Sequence, residues 1–132
     1  MSDESLDRIE TLARIGSSLA GVQFDAASFQ PSDLTDDSWT FGYCFGLLEA
    51  MAQYARLDQY SDGARMMSNA LGKLVGDETR GLEIFGRGVD LQSEADFSAG
   101  FADGGADLQA WADDANALPT ALARHLAKRA KQ

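Results

Sequence analysis

The stretch Trp39-Thr40-Phe41-Gly42-Tyr43-Cys44-Phe45-Gly46-Leu47-Leu48-Glu49-Ala50-Met51-Ala52-Gln53-Tyr54 decides the fold. It carries one acid, no base and no proline, and it is apolar on almost every side of a helix. A helix apolar all round belongs at the centre of a fold. Its Gly42 and Gly46 share a stripe with Glu49, because residues three and four apart stack on a helix. Glycine in a helix interior costs ~1 kcal/mol relative to alanine. Close approach of another helix backbone is the usual compensation.

The pattern recurs. Gly42-x-x-x-Gly46-x-x-Glu49-x-x-Ala52 is matched by Gly100-x-x-x-Gly104-x-x-Asp107-x-x-Ala110, 58 residues further on. A second offset, 56, aligns Phe41 with Phe97, Phe45 with Phe101 and Gln53 with Gln109. Duplication of a helical hairpin and coincidence in an alanine- and glycine-rich chain both account for this. Gly42, Gly46, Gly100 and Gly104 are the expected helix-packing residues, within one chain or across a two-fold axis. If the stripes cross, Glu49 and Asp107 meet, and two neighbouring carboxylates share a proton or bind a cation.

Outward from the central stretch, the chain reads as one all-α domain of five or six helices spanning residues 1–132. A first helix is expected from Ser2 to Ala20, capped by Ser2 or Ser5 and stopped by Gly21. A loop from Val22 to Asp36 follows. The central helix runs from about residue 37 to Asp58. A third is expected from Ser61 to Val75 with Gly76 as its stop, and a fourth from Asp77 to Phe85, ending at Gly86 or Gly88. Ser93 and Asp96 resemble a capping box for a fifth helix reaching Asn116. Asp103-Gly104-Gly105 is a place for it to bend or break. Pro119 opens the last helix from its first turn.

Composition bounds the function. The 132 residues include 21 acids and 11 bases, a formal charge of −10. Such a surface repels nucleic acid and anionic lipid. The final 13 residues reverse the balance, with Arg124, Lys128, Arg129 and Lys131 and no acid. No stretch is long and apolar enough to span a bilayer. The acidic start Met1-Ser2-Asp3-Glu4 is unlike a signal peptide, so a cytoplasmic protein is expected.

Chemistry-bearing sets are sparse. Cys44 is the one cysteine and His125 the one histidine. Zinc would lack ligands, and a di-iron bundle would lack its Glu-x-x-His pairs. Neither a metal nor a cofactor is expected. Cys44 reads as a small core residue and His125 as a surface residue near a helix end. Gly86-Arg87-Gly88 lacks the strand and third glycine of a dinucleotide fingerprint.

Asp37-Ser38-Trp39 at a helix start, after a helix and a long loop, resembles the acyl carrier proteins over about the first 55 residues. In that family Asp-Ser-Leu opens the second helix. The resemblance implies phosphopantetheine on Ser38. Trp39 departs from the family's leucine, and the chain continues well past the matching part.

Three functions are therefore carried forward. The first is a non-enzymatic protein–protein interaction or assembly module, expected as a homodimer. The second is a small-molecule site or enzyme between helices near Glu49, Gln53, Arg56 and Asp107, walled by Tyr43, Tyr54 and Trp111. The third is a carrier-like protein modified at Ser38.

Overall fold

The computed structural model describes residues 3–58 and 61–131. It is an all-α bundle: α1 (Asp3–Ala26), α2 (Ser38–Tyr54), α3 (Asp62–Val75), α4 (Glu78–Asp90), α5 (Ala95–Asp113) and α6 (Ala121–Ala130). A 3-10 helix, Pro31–Asp36, leads into α2. Among the described residues there is no strand, and no helix is long and apolar enough to cross a membrane.

α2 is the centre, as its composition requires. Phe41, Tyr43, Cys44, Phe45, Leu47, Leu48 and Met51 are all buried on it. Its main partner is α5, and the two run parallel: Gly42 faces the Phe97 backbone and Gly46 the Phe101 backbone. The reverse contacts match, with Gly100 against Trp39 and Gly104 against Tyr43. Gly42 and Gly100 are 58 residues apart, as are Gly46 and Gly104, Trp39 and Phe97, and Tyr43 and Phe101. The pair thus has a local two-fold axis, with both glycine stripes consumed inside the chain. A Cβ at any of the four glycines would lie inside the opposing backbone carbonyl oxygen. The 56-residue offset has a different meaning, because its two phenylalanine pairs touch. The Phe41 and Phe97 rings meet edge-on at 5.3 Å, and Phe45 and Phe101 lie at 6.4 Å.

Several boundaries differ from the sequence reading, for one physical reason. α1, α2 and α3 all end in the same closure, a backbone N–H bonding the carbonyl five residues back. The pairs are Phe29 to Phe24, Leu57 to Ala52 and Asp77 to Gly72. The closure needs a left-handed residue one position before its donor. Gly76 supplies it for α3 (φ 75°), but Ser28 (φ 61°) and Arg56 (φ 59°) supply it for α1 and α2. α1 therefore runs through Gly21 to Ala26, and the long loop shrinks to a short link and the 3-10 helix. Ser5 lies inside α1, and Ser2 lies outside the described residues. α2 stops at Tyr54, short of Asp58.

α4 continues past Gly86 and Gly88 to Asp90. Gly81 lies against the backbone of Gly72 and Gly88 against the Phe45 ring, so α4 presses closely on its neighbours. α5 continues through Gly104-Gly105 without a break. Its cap is Glu94, whose carboxylate accepts from the N–H groups of Asp96 and Phe97, in place of the Ser93 capping box. α5 ends at Asp113, and α6 begins at Ala121, beyond Pro119.

Candidate functional site

Two polar centres and one apolar face emerge from this packing. The first polar centre seats the start of α6. Thr120, its N-cap residue, makes no side-chain cap bond. The free N–H groups of a helix start still need acceptors. Asp107 on α5 takes the Ala121 N–H (3.1 Å), and the Gln23 side-chain oxygen on α1 takes the Ala123 N–H (3.1 Å). The Tyr43 hydroxyl donates to the same Asp107 oxygen at 2.7 Å and accepts from Gln23 at 3.0 Å. Burial, with Asp107 beside it, pushes the Tyr43 hydroxyl pKa far up, so the phenol stays protonated as the donor. Four helices are thus tied by two caps taken from distant residues.

The second centre is Asp37. Its carboxylate caps α2 through the Trp39 N–H and takes the Thr40 hydroxyl at 2.5 Å. His125 Nε2 lies 2.5 Å from the same carboxylate, with Arg129 at 3.7 Å. The His125 ring stacks on Trp39, centroids 4.2 Å apart. His125 is therefore a half-buried latch between α6 and the start of α2, which corrects its expected surface position. Burial works against the Asp37 charge, but the hydrogen bonds from Thr40 and His125 and the positive charges nearby outweigh it. The net effect holds Asp37 below its ordinary value of 3.8.

A carboxylate held low in the folded state stabilises the fold above its unfolded pKa. That contribution is lost as pH falls through the folded value. The wild type should therefore exceed Asp37→Asn by on the order of 1 kcal/mol above about pH 5, given solvent screening. The gap should narrow as pH falls below the ordinary Asp value of 3.8 and close once the folded-state carboxylate is protonated. Urea midpoints measured across that range check it.

Ser38 is the first residue of α2, and its side chain bonds the Glu94 carboxylate. Cys44 is fully buried, and burial pushes its thiol up to about 12, out of nucleophilic range. No three His, Cys, Asp or Glu groups gather at metal-binding distance among the described residues.

The apolar face lies on the other flank of the bundle, over α3 and α4. α4 buries Gly81, Ile84 and Gly88, turns Leu82 and Val89 outward, and lays half-buried Phe85 on the Phe45 ring, centroids 5.6 Å apart. Leu82 is 60% exposed and Val89 52%. Open grooves flank this ridge. One, about 370 Å³, has apolar walls of Phe45, Leu57, Met67, Phe85 and Val89, with Glu49, Gln53 and Gln92 as its polar groups. The other, about 830 Å³, runs from Glu10 on α1 along α3 to Leu82 and is more polar, with Glu10 bridged to Lys73. Ala64 lines both, so the two grooves adjoin, and together they make up the furrow of the α3–α4 seam.

The expected pocket residues are thereby divided. Glu49 and Gln53 share the smaller groove, whereas Tyr43 and Asp107 belong to the α6 seat. Glu49 faces α3 and α4 while Asp107 faces α6, so the two carboxylates do not form a shared site. Tyr54 and Arg56 are exposed at the end of α2, and Trp111 packs against the edge of the core. Sequence reasoning missed Gln23, placed in a loop, and the Leu82–Phe85–Val89 ridge. The ridge has a helical spacing of three and four, which becomes visible once α4 is carried through its glycines.

The chain matches no protein-family model, no curated protein and no solved structure.

Proposed function

We propose that the protein is a non-enzymatic interaction module that binds another protein across its α3–α4 face. One observation carries this reading: Leu82 and Val89 stand exposed on α4, with half-buried Phe85 between them, beside open grooves. Phe85 packs on the Phe45 ring, whereas Leu82 and Val89 lie outside this chain's own core. A partner that covers them gains roughly 25 cal/mol per Å² of apolar surface removed from water. Contiguous exposed apolar patches, unlike singly scattered apolar residues, mark interaction sites. The glycine stripes, by contrast, serve the α2–α5 crossing and supply no interface. Any homodimer therefore rests on the α4 face rather than on the stripes. The polar centres at Asp37 and Asp107 are occupied by caps and latches.

The test is the size of the native assembly in extracts of the source cells at native abundance. Wild type should elute as a complex larger than its 14.2 kDa chain. A Leu82→Asp, Val89→Asp double variant should elute as the free chain with an unchanged melting temperature. Identical elution of the two would refute the reading.

A further inference from the structure

The furrow identifies the kind of segment that fills it. α4 has 13 residues, so it presents a ridge of about 20 Å at the α-helical rise. Leu82, Phe85 and Val89 lie along it one helical turn apart, with the more polar groove beside Leu82 and the apolar one beside Phe85 and Val89. That geometry suits an amphipathic helix laid along the seam, whose anchors repeat every three or four residues. A compact ligand would fill the smaller groove and leave Leu82 bare.

The charge inside the smaller groove is equally specific. Glu49 is the one charged group among its lining residues. It is half-buried between the Phe45 and Ala52 turns of α2, and no hydrogen bond or ion pair reaches it among the described residues. Burial alone holds its carboxyl above the usual range, so no cation compensates it. A docked helix without a base would bury this carboxylate further, at a desolvation cost. One lysine or arginine at the edge of the helix's apolar stripe offsets part of that cost and avoids leaving the carboxylate buried and unpaired. The chain's charge of −10 favours approach of the same partner.

We infer that the α3–α4 furrow binds an amphipathic helix of a partner protein, with its apolar stripe on Leu82, Phe85 and Val89 and a basic side chain paired to Glu49. This rests on the proposed binding face and names what it recognises.

Two stapled Leu/Ala helical peptides of equal composition and net charge test it. In the first, a lysine stands beside the leucine stripe; in the second, that lysine has changed places with a glutamine on the far face. Each is titrated into the full 15N-labelled chain. The first should move the amides of α3, α4 and Glu49, and bind about tenfold more tightly than the second. The preference should vanish in Glu49→Gln. Equal binding of both peptides at the furrow would overturn the basic pairing while leaving the binding face intact. A preference that survives Glu49→Gln would overturn the role of Glu49. Hexylammonium binding as tightly as the first peptide would overturn the helical occupant. No amide of the furrow moving with either peptide would overturn the inference outright, and the elution test then decides separately whether the face binds anything.

Discussion

Gly104→Ala should lower stability by more than about 3 kcal/mol, whereas Gly105→Ala, one residue on, should raise it by about 0.5–1 kcal/mol. The two changes are chemically identical and sit in the same unbroken helix. A Cβ at Gly104 would overlap the Tyr43 carbonyl oxygen and press on the Leu47 nitrogen at 2.8 Å. The obstacle is backbone on both sides, so no rotamer change relieves it. Either α2 and α5 separate along their length or the crossing is lost. At Gly105 nothing lies within 4 Å of a new Cβ. There the substitution reduces only the freedom of the unfolded chain and improves helix propensity. Denaturant unfolding of both variants checks the pair. Effects of equal sign would show that the α2–α5 crossing is not as close as described.

The second large effect concerns the seat of α6. Asp107→Ala should cost about 2–4 kcal/mol, because it strips the acceptor from the buried Tyr43 hydroxyl and from the Ala121 N–H together. The cost of an unsatisfied buried donor exceeds the net worth of the bond it lost. Asp107→Asn keeps an oxygen facing both donors and should lose about half as much. The loss should be local in character: hydrogen exchange should rise first in α6, whose opening turn relies on Asp107 and Gln23. A variant with unchanged or greater stability would instead mark Asp107 as a residue kept for function at the expense of the fold.

These two expectations show where the sequence was readable. The glycine stripes announced a close crossing because glycine inside an apolar helix has few other uses, and that crossing is the spine of the structure. Gly76 announced the end of α3 because it occupies the left-handed position that a helix stop favours. The same inference misplaced the ends of α1 and α4, and α2, read to Asp58 with no glycine to stop it, ends at Tyr54. Ser28 and Arg56 take the left-handed position without being glycine, while Gly21, Gly86 and Gly88 lie within helices. A glycine used to admit a neighbour and a glycine used to end a helix look alike until the neighbour is known.

The candidate site was half legible for a related reason. Glu49 and Asp107 occupy equivalent positions on two helices related by a local two-fold axis. Their shared pattern suggested that they meet. Glu49 faces α3 and α4, however, while Asp107 turns to α6. The surroundings of the two then diverge completely: one carboxylate is consumed as a cap and the other stands in an apolar groove. The Asp37–His125 latch spans 88 residues of sequence and has no local signature at all. The outward ridge of α4 was hidden by reading Gly86 and Gly88 as stops, which removed Val89 from the helix.

The central claim is that the α4 ridge is kept exposed for a protein partner. Site-specific photo-crosslinking in the source cells tests it most directly, with benzoylphenylalanine placed at position 89 and, as control, at position 22. Val22 is a comparably exposed apolar residue, 60% accessible, on α1. The account predicts a discrete adduct of higher mass from position 89, with none from position 22. Adducts from both positions alike, or from neither, would contradict it.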